Sequence, residues 1–207
     1  MSAPASPLRA AALLGLAALL ATAALTGIEA LTRERIERRA RALELSRLGQ
    51  VLPPSSYDND PLAQTVRVED PRLGPGPQRV HLGRRGGLPS ALALTATAPD
   101  GYGGPIELII GIARDGRVLG VRVLDHAETP GLGDPIEERR SGWIRSFDGR
   151  ALDDPAPARW TVRRDGGDFD QFTGATITPR AVVRAVRRAL EFHAAEHDRL
   201  YAAPPPP

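Results

Sequence analysis

From Ala10 to Ile28 the chain runs without a single charged side chain, bounded by Arg9 and Glu29. As a helix rising 1.5 Å per residue, these 19 residues span roughly 28 Å, about the thickness of one hydrocarbon core. No globular fold leaves such a stretch in water. The run therefore predicts either a membrane anchor or a cleaved export signal ahead of one soluble domain. Ala21-Thr22-Ala23 resembles a small-residue cleavage site, the mark of a signal peptide. The apolar run continues past it through Leu25 and Ile28 and its basic leader is thin, which favours a retained transmembrane helix over residues 10–28 in the lipid bilayer.

Beyond Glu29 the polarity changes while helical spacing persists. Glu29/Arg33, Glu34/Arg38 and Glu37/Arg41 are acidic-to-basic pairs four residues apart, each worth a few tenths of a kcal/mol. Gly49 and then Pro53 form a stop signal. Residues 29–50 thus read as a helical stalk after a short N-terminal segment, 1–9. Residues 51–203 read as one soluble domain, with a proline tail at 204–207.

A domain of that size buries a sizeable core unaided. The chain has no cysteine, which excludes disulfides, thiolate zinc sites and cysteine-held iron–sulfur clusters. A formal charge of +2 with only two Trp, three Tyr and four Phe offers neither a basic face nor a base-stacking surface, so no nucleic-acid partner is expected.

Within the domain, β-type runs lie around Leu62–Val68, Gln78–Leu82 and Ala91–Ala98, and Pro71–Pro77 is punctuated against a strand interior. Pro105–Arg114 and Arg117–Asp125 flank Asp115-Gly116, a favoured two-residue hairpin turn. That register pairs Ile112 with Leu119, Ile110 with Val121 and Leu108 with Val123 on one core face. On the other face Gly111 lies opposite Gly120, a bare patch suited to a closely packed helix or a flat ring. Arg159–Arg164 reads as a further short strand. Thr178-Pro179 reads as N-cap and first residue of a helix, with Val182, Val183, Val186, Leu190 and His193 along one side to about Asp198. Strands first and a long helix last predict an α+β fold on an antiparallel sheet.

The segment Asp165–Arg180, DGGDFDQFTGATITPR, concentrates the chemistry. Gly174 and Ala175 let the backbone approach a ligand closely, Thr173, Thr176 and Thr178 offer hydroxyls, and the following helix favours a phosphate at its N-terminus. An ordinary capped loop is the alternative at this point.

Asp170-Gln171-Phe172-Thr173-Gly174-Ala175-Thr176 resembles the flavinylation motif Asp-x-x-Ser/Thr-Gly-Ala-Thr, whose last threonine carries FMN as a phosphoester. GYGGPIELIIGI (Gly101–Ile112) and HAETPGLGD (His126–Asp134) are similar to further stretches of the same family. That family is the G subunit of the Rnf-type ion-translocating electron-transport complex, related to the C subunit of the sodium-translocating NADH:quinone reductase. The resemblance implies covalent FMN on Thr176 and electron relay among other subunits of a membrane complex that moves ions. It also implies loading by a separate flavin transferase, since threonine is a poor nucleophile unaided. Asp170, Thr173, Gly174 and Ala175 would belong to the acceptor motif. Tyr102, Glu128, Thr129, Leu132 and Gly133 would lie near the ring, with Glu128 otherwise an exposed loop carboxylate. Backbone N–H groups of the Pro130–Gly133 loop would meet flavin oxygens. An orphan flavin-bearing sensor and a flavin-free membrane scaffold are the rival readings.

Two other signals carry less. His193-Ala-Ala-Glu196-His197 has the H-x-x-E-H spacing of inverted zinc proteases, but scarcely any chain follows to supply a third ligand, and no metal site or catalytic residue is expected. The arginine balance is the second: Arg9 precedes the apolar run and Arg33, Arg35, Arg38, Arg39, Arg41 and Arg47 follow it. The positive-inside rule would put the domain in the cytoplasm, whereas the resemblance implies the periplasmic side of the inner membrane.

Overall fold

The computed structural model describes residues 7–202; the extreme N-terminus and the proline tail lie outside the described residues. The chain forms two units, residues 1–45 and 46–207. Helix α1 (Pro7–Gly49) makes up the first unit and enters the second with its last residues. It is long and apolar enough to cross a membrane, and nothing covers its apolar window. Leu13, Leu16, Leu20 and Ile28 are all more than half exposed. Thr22, Thr26 and Thr32 return their hydroxyls to carbonyls one turn back, which satisfies them without water. Farther along, Arg38 meets Glu34 at 3.3 Å, while Arg33 pairs forward with Glu37 at 3.2 Å rather than back with Glu29.

The second unit is built on an antiparallel meander of five strands in the order β1-β2-β3-β4-β5. These are β1 (Thr65–Val68), β2 (Gln78–Arg85), β3 (Leu88–Ala98), β4 (Ile106–Ala113) and β5 (Val118–Asp125). The C-terminal helix α2 (Ile177–Ala202) completes the expected α+β fold. Alternation along the central strands supplies two cores. Leu92, Leu94, Leu108, Ile110 and Ile112 point to the face packed with Val182, Val183, Val186 and Leu190 of α2. Ala91, Ala93 and Ile109 point the other way, to Leu48, Val51 and Leu52.

The β4–β5 hairpin departs from the sequence expectation by one residue. Its loop has three residues, Arg114–Gly116, closed by hydrogen bonds from Gly116 N–H to Ala113 C=O and from Ala113 N–H to Arg117 C=O. Only Gly116 takes positive φ, at 88°. A two-residue turn of the Asp-Gly type needs positive φ at the aspartate as well, and among the described residues no non-glycine residue adopts it. Ile112 consequently pairs with Val118, and a bulge at Leu119 restores Gly111 to Gly120, Ile110 to Val121 and Leu108 to Val123. Leu119 joins the second core instead. The bare glycine patch is filled by backbone: a Cβ on Gly111 would lie 1.9 Å from the Val51 carbonyl oxygen. Val51 stands in the turn that ends α1, so the cover is that turn rather than a packed helix or a flat ring.

Residues 126–176 carry short 3-10 turns rather than strands. Arg159–Arg164 is not a strand: it holds parts of two 3-10 turns and a lone bridge from Val162 to Phe169, and Gly166 at φ 87° turns the chain back. Five aromatic rings, Trp143, Phe147, Trp160, Phe169 and Phe172, contact one another here and give this irregular segment a core of its own.

Candidate functional site

The segment Asp165–Arg180 is a closed loop. Arg180 grips Asp165 with two hydrogen bonds, 2.6 and 3.0 Å, clipping its ends together, and the guanidinium holds the Asp165 carboxyl below its usual range. Upstream, the Trp143 indole N–H donates to the Asp170 carbonyl at 2.8 Å and its ring meets Phe172 edge-on. Phe172 through Ala175 then makes a tight turn, closed by the Ala175 N–H on the Phe172 carbonyl at 3.1 Å. Gly174 occupies its third position at φ 80°, where a type II turn demands glycine. A Cβ there would have an ordinary 3.8 Å neighbour in Leu132. Conformation, not crowding by the protein, is what requires this glycine.

Helix α2 starts at Ile177, two residues earlier than Thr178-Pro179 predicts. The Thr176 carbonyl accepts from the Arg180 N–H at 3.3 Å, which makes Thr176 the N-cap residue. Ile177 and Thr178 stand in the first turn, where N–H groups have no partner within the helix and the dipole is positive. Thr178 is not a cap: it is fully buried and its hydroxyl donates to Glu128 Oε2 at 2.6 Å.

A pocket of about 350 Å³ opens beside Thr176, within the range of small-ligand sites, roughly 300–1,000 Å³. Gly174, Ala175 and Thr176 form one wall, Glu128, Thr129, Leu132 and Gly133 another, and Tyr102 closes the rim. The expected ring-proximal residues thus come together from two loops distant in sequence. Ile177 and Thr178 also line the pocket; Ile177 was not foreseen and Thr178 was read only as a hydroxyl and a cap, and their place in the first turn after Thr176 is the signal that could have found them. Asp170 and Thr173 do not line it. Both are exposed, and Asp170 pairs with Arg163 at 3.0 Å. Tyr102, Leu132 and Ile177, at 69%, 46% and 46% exposure, give the mouth an apolar rim.

Two expectations for the 126–134 loop fail. From Pro130 to Gly133 the N–H groups are already used: Leu132 and Gly133 donate to the Thr129 carbonyl and Gly131 to Asp134 Oδ1, while Pro130 has none to give. Glu128 is not an exposed loop carboxylate either, being 5% exposed. Its own N–H donates to His126 Nδ1 at 3.0 Å, which leaves the ring proton on Nε2, 3.0 Å from Glu137. The two side chains serve different partners and form no acid–base pair.

The chemistry of the pocket fits FMN: a hydroxyl at a helix N-terminus for the phosphate, and an apolar rim for a flat ring. The FMN-binding domain family matches residues 101–191, and the RnfG N-terminal region matches residues 1–51. The chain is 49% identical over 199 residues to the G subunit of the ion-translocating oxidoreductase complex of Pseudomonas aeruginosa, covering 95% of this chain and 93% of the relative. It belongs to this G-subunit family. Similar relatives of the same description occur in Vibrio cholerae, at 49% over 177 residues and 84% of each chain, and in Cereibacter sphaeroides, at 46% over 201 residues, covering 97% of this chain and 90% of the relative. The apolar N-terminal helix fits a membrane-anchored member of this family.

His193 and His197 lie away from the pocket. They meet edge-on at 5.6 Å, and His193 Nε2 lies 3.2 Å from the Tyr201 hydroxyl. Burial, and then the neighbouring His197, push His193 down to about 4 from 6.5. The folded protein therefore binds fewer protons than the unfolded chain between those values, so stability is complete above pH 6.5 and falls as pH drops through the window. The loss should reach on the order of 2–3 kcal/mol. Denaturation of wild type and His193→Gln from pH 4 to 7 checks this; equal slopes for the two would contradict it.

Proposed function

We propose that this chain carries FMN covalently bonded through its phosphate to Thr176, and relays electrons among the subunits of a membrane complex that couples electron transfer to ion translocation. The observation that carries the reading is the position of Thr176: N-cap of α2 and wall of the pocket at once. A phosphoester there would meet the first-turn N–H groups, while Leu132, Ile177 and Tyr102 offer apolar surface to the ring. FMN supplies the redox chemistry when bound; the protein binds and orients it. The names of the relatives, matched over most of their length, favour a complex subunit over an orphan sensor.

Among the described residues, no side chain is hydrogen-bonded to the Thr176 hydroxyl, and Glu128, the pocket carboxylate, is engaged by Thr178 and Gly103. The chain therefore offers no base to activate its own acceptor, and a separate flavin transferase does the loading. Asp170 and Gly174, both exposed, belong to what that enzyme reads. When the chain is co-expressed with a flavin transferase, the denatured protein should fluoresce as a flavin band in a gel. A dark band would leave a flavin-free scaffold.

The soluble domain stands on the periplasmic side, against the arginine count after the anchor. Long domains translocate largely regardless of flanking charge, and loading by an exported transferase requires exposure there. A reporter active only after export, fused after Tyr201 in cells making the whole complex, should be active. Activity only of a cytoplasmic reporter would overturn both the orientation and the loading route.

A further inference from the structure

The pocket is assembled around one carboxylate. Glu128 Oε1 accepts the Gly103 N–H at 3.1 Å and Oε2 accepts the Thr178 hydroxyl at 2.6 Å, which ties two loops to the first turn of α2. The glycines are shaped to it: a Cβ on Gly101 would lie 2.7 Å from Oε1, and one on Gly133 2.6 Å from Oε2. Two donors on two oxygens suit the ionised acid. Both donors are neutral. The nearby carboxylates differ in this respect, since Asp134 has Arg140 and Glu137 has Arg139 and His126. Among the described residues no cation pairs with Glu128. It is a buried carboxyl group without a counter-cation, in the wall of the pocket beside Thr176.

We propose that Glu128 is the residue that sets the flavin potential, its charge opposing the addition of electrons to the ring. The inference rests on the covalent FMN reading above. Adding negative charge beside a fixed buried charge is unfavourable, and the low local dielectric strengthens the effect. The dipole of α2 offsets it only in part, since a helix terminus carries about half a charge. Glu128→Gln keeps the shape and can satisfy both partners, its oxygen accepting from Gly103 and its amide donating to the Thr178 oxygen.

The test uses the full chain in detergent, loaded by co-expressed transferase and checked by intact mass. Dithionite is the reductant, equilibrated through one-electron mediator dyes, and flavin absorbance reports the midpoint potential. Glu128→Gln should move the potential to a more positive value, while Glu128→Asp, which keeps the charge, should stay near wild type. An unchanged potential in Glu128→Gln, or equal shifts in both variants, would overturn the inference. Loss of the adduct from a folded Glu128→Gln would make Glu128 a structural tie and overturn it too. Should the variant not fold, the reduced-minus-oxidised infrared spectrum of wild type decides: it should contain a glutamate carboxylate band, identified by isotope-labelled glutamate, and its absence would contradict the proposal. Wild type lacking the adduct is seen by mass beforehand and sinks the covalent reading itself.

Discussion

Thr176→Val leaves the chain folded and without its flavin. Valine keeps the shape of threonine and removes only the hydroxyl that would carry the phosphate. The loss of covalent FMN should be complete, read as a dark band in the gel and as disappearance of the adduct from the intact mass. The Thr176 carbonyl, not its side chain, accepts the first bond of α2, so the helix start survives the substitution. Thr178→Val provides the contrast. It should keep FMN while losing about 1–3 kcal/mol of stability, because it strips the hydroxyl from a buried carboxylate. FMN persisting on Thr176→Val, or vanishing only from Thr178→Val, would move the acceptor.

Gly111→Ala should be among the most damaging single changes in the soluble domain. The new methyl would meet the Val51 carbonyl 1.9 Å away, and backbone cannot swing aside as a side chain can. Either the Gln50–Val51 turn lifts from the sheet or β4 shifts against its neighbours, at about 3 kcal/mol. Gly49→Ala is the control: a Cβ there has nothing within 4 Å, and alanine suits a helix end by up to about 1 kcal/mol. Trp143 and Trp160 both lie in the soluble unit, so their fluorescence follows its denaturation. Similar midpoints for the two variants would mean that the turn does not pack on the glycines.

The parts of the fold that were legible in the sequence are those fixed by local rules. Period-two alternation placed β3 and β4, and the uncharged run and the Gly49–Pro53 stop gave α1. What escaped depended on φ or on distant partners. Asp115-Gly116 marks a turn in either loop length, and only the conformation of Asp115 separates two residues from three. Thr178 has the look of a cap because capping residues are read by type. Its true partner, Glu128, lies fifty positions away in sequence. The same distance hid the burial of Glu128, which locally is a polar residue in a glycine-rich loop. At the site, resemblance pointed to Thr176 as the proposed acceptor, whereas spacing alone left a capped loop as the alternative.

The central claim is one covalent bond at one hydroxyl. Because the chain has no lysine, trypsin cuts only after arginine, and Asp165–Arg180 is released as a single peptide holding Thr173, Thr176 and Thr178. Fragmentation of that peptide from transferase-loaded wild type should place the FMN phosphoester on Thr176, with Thr173 and Thr178 unmodified. A flavin on either of those two, or an unmodified peptide from fluorescent protein, would contradict the account.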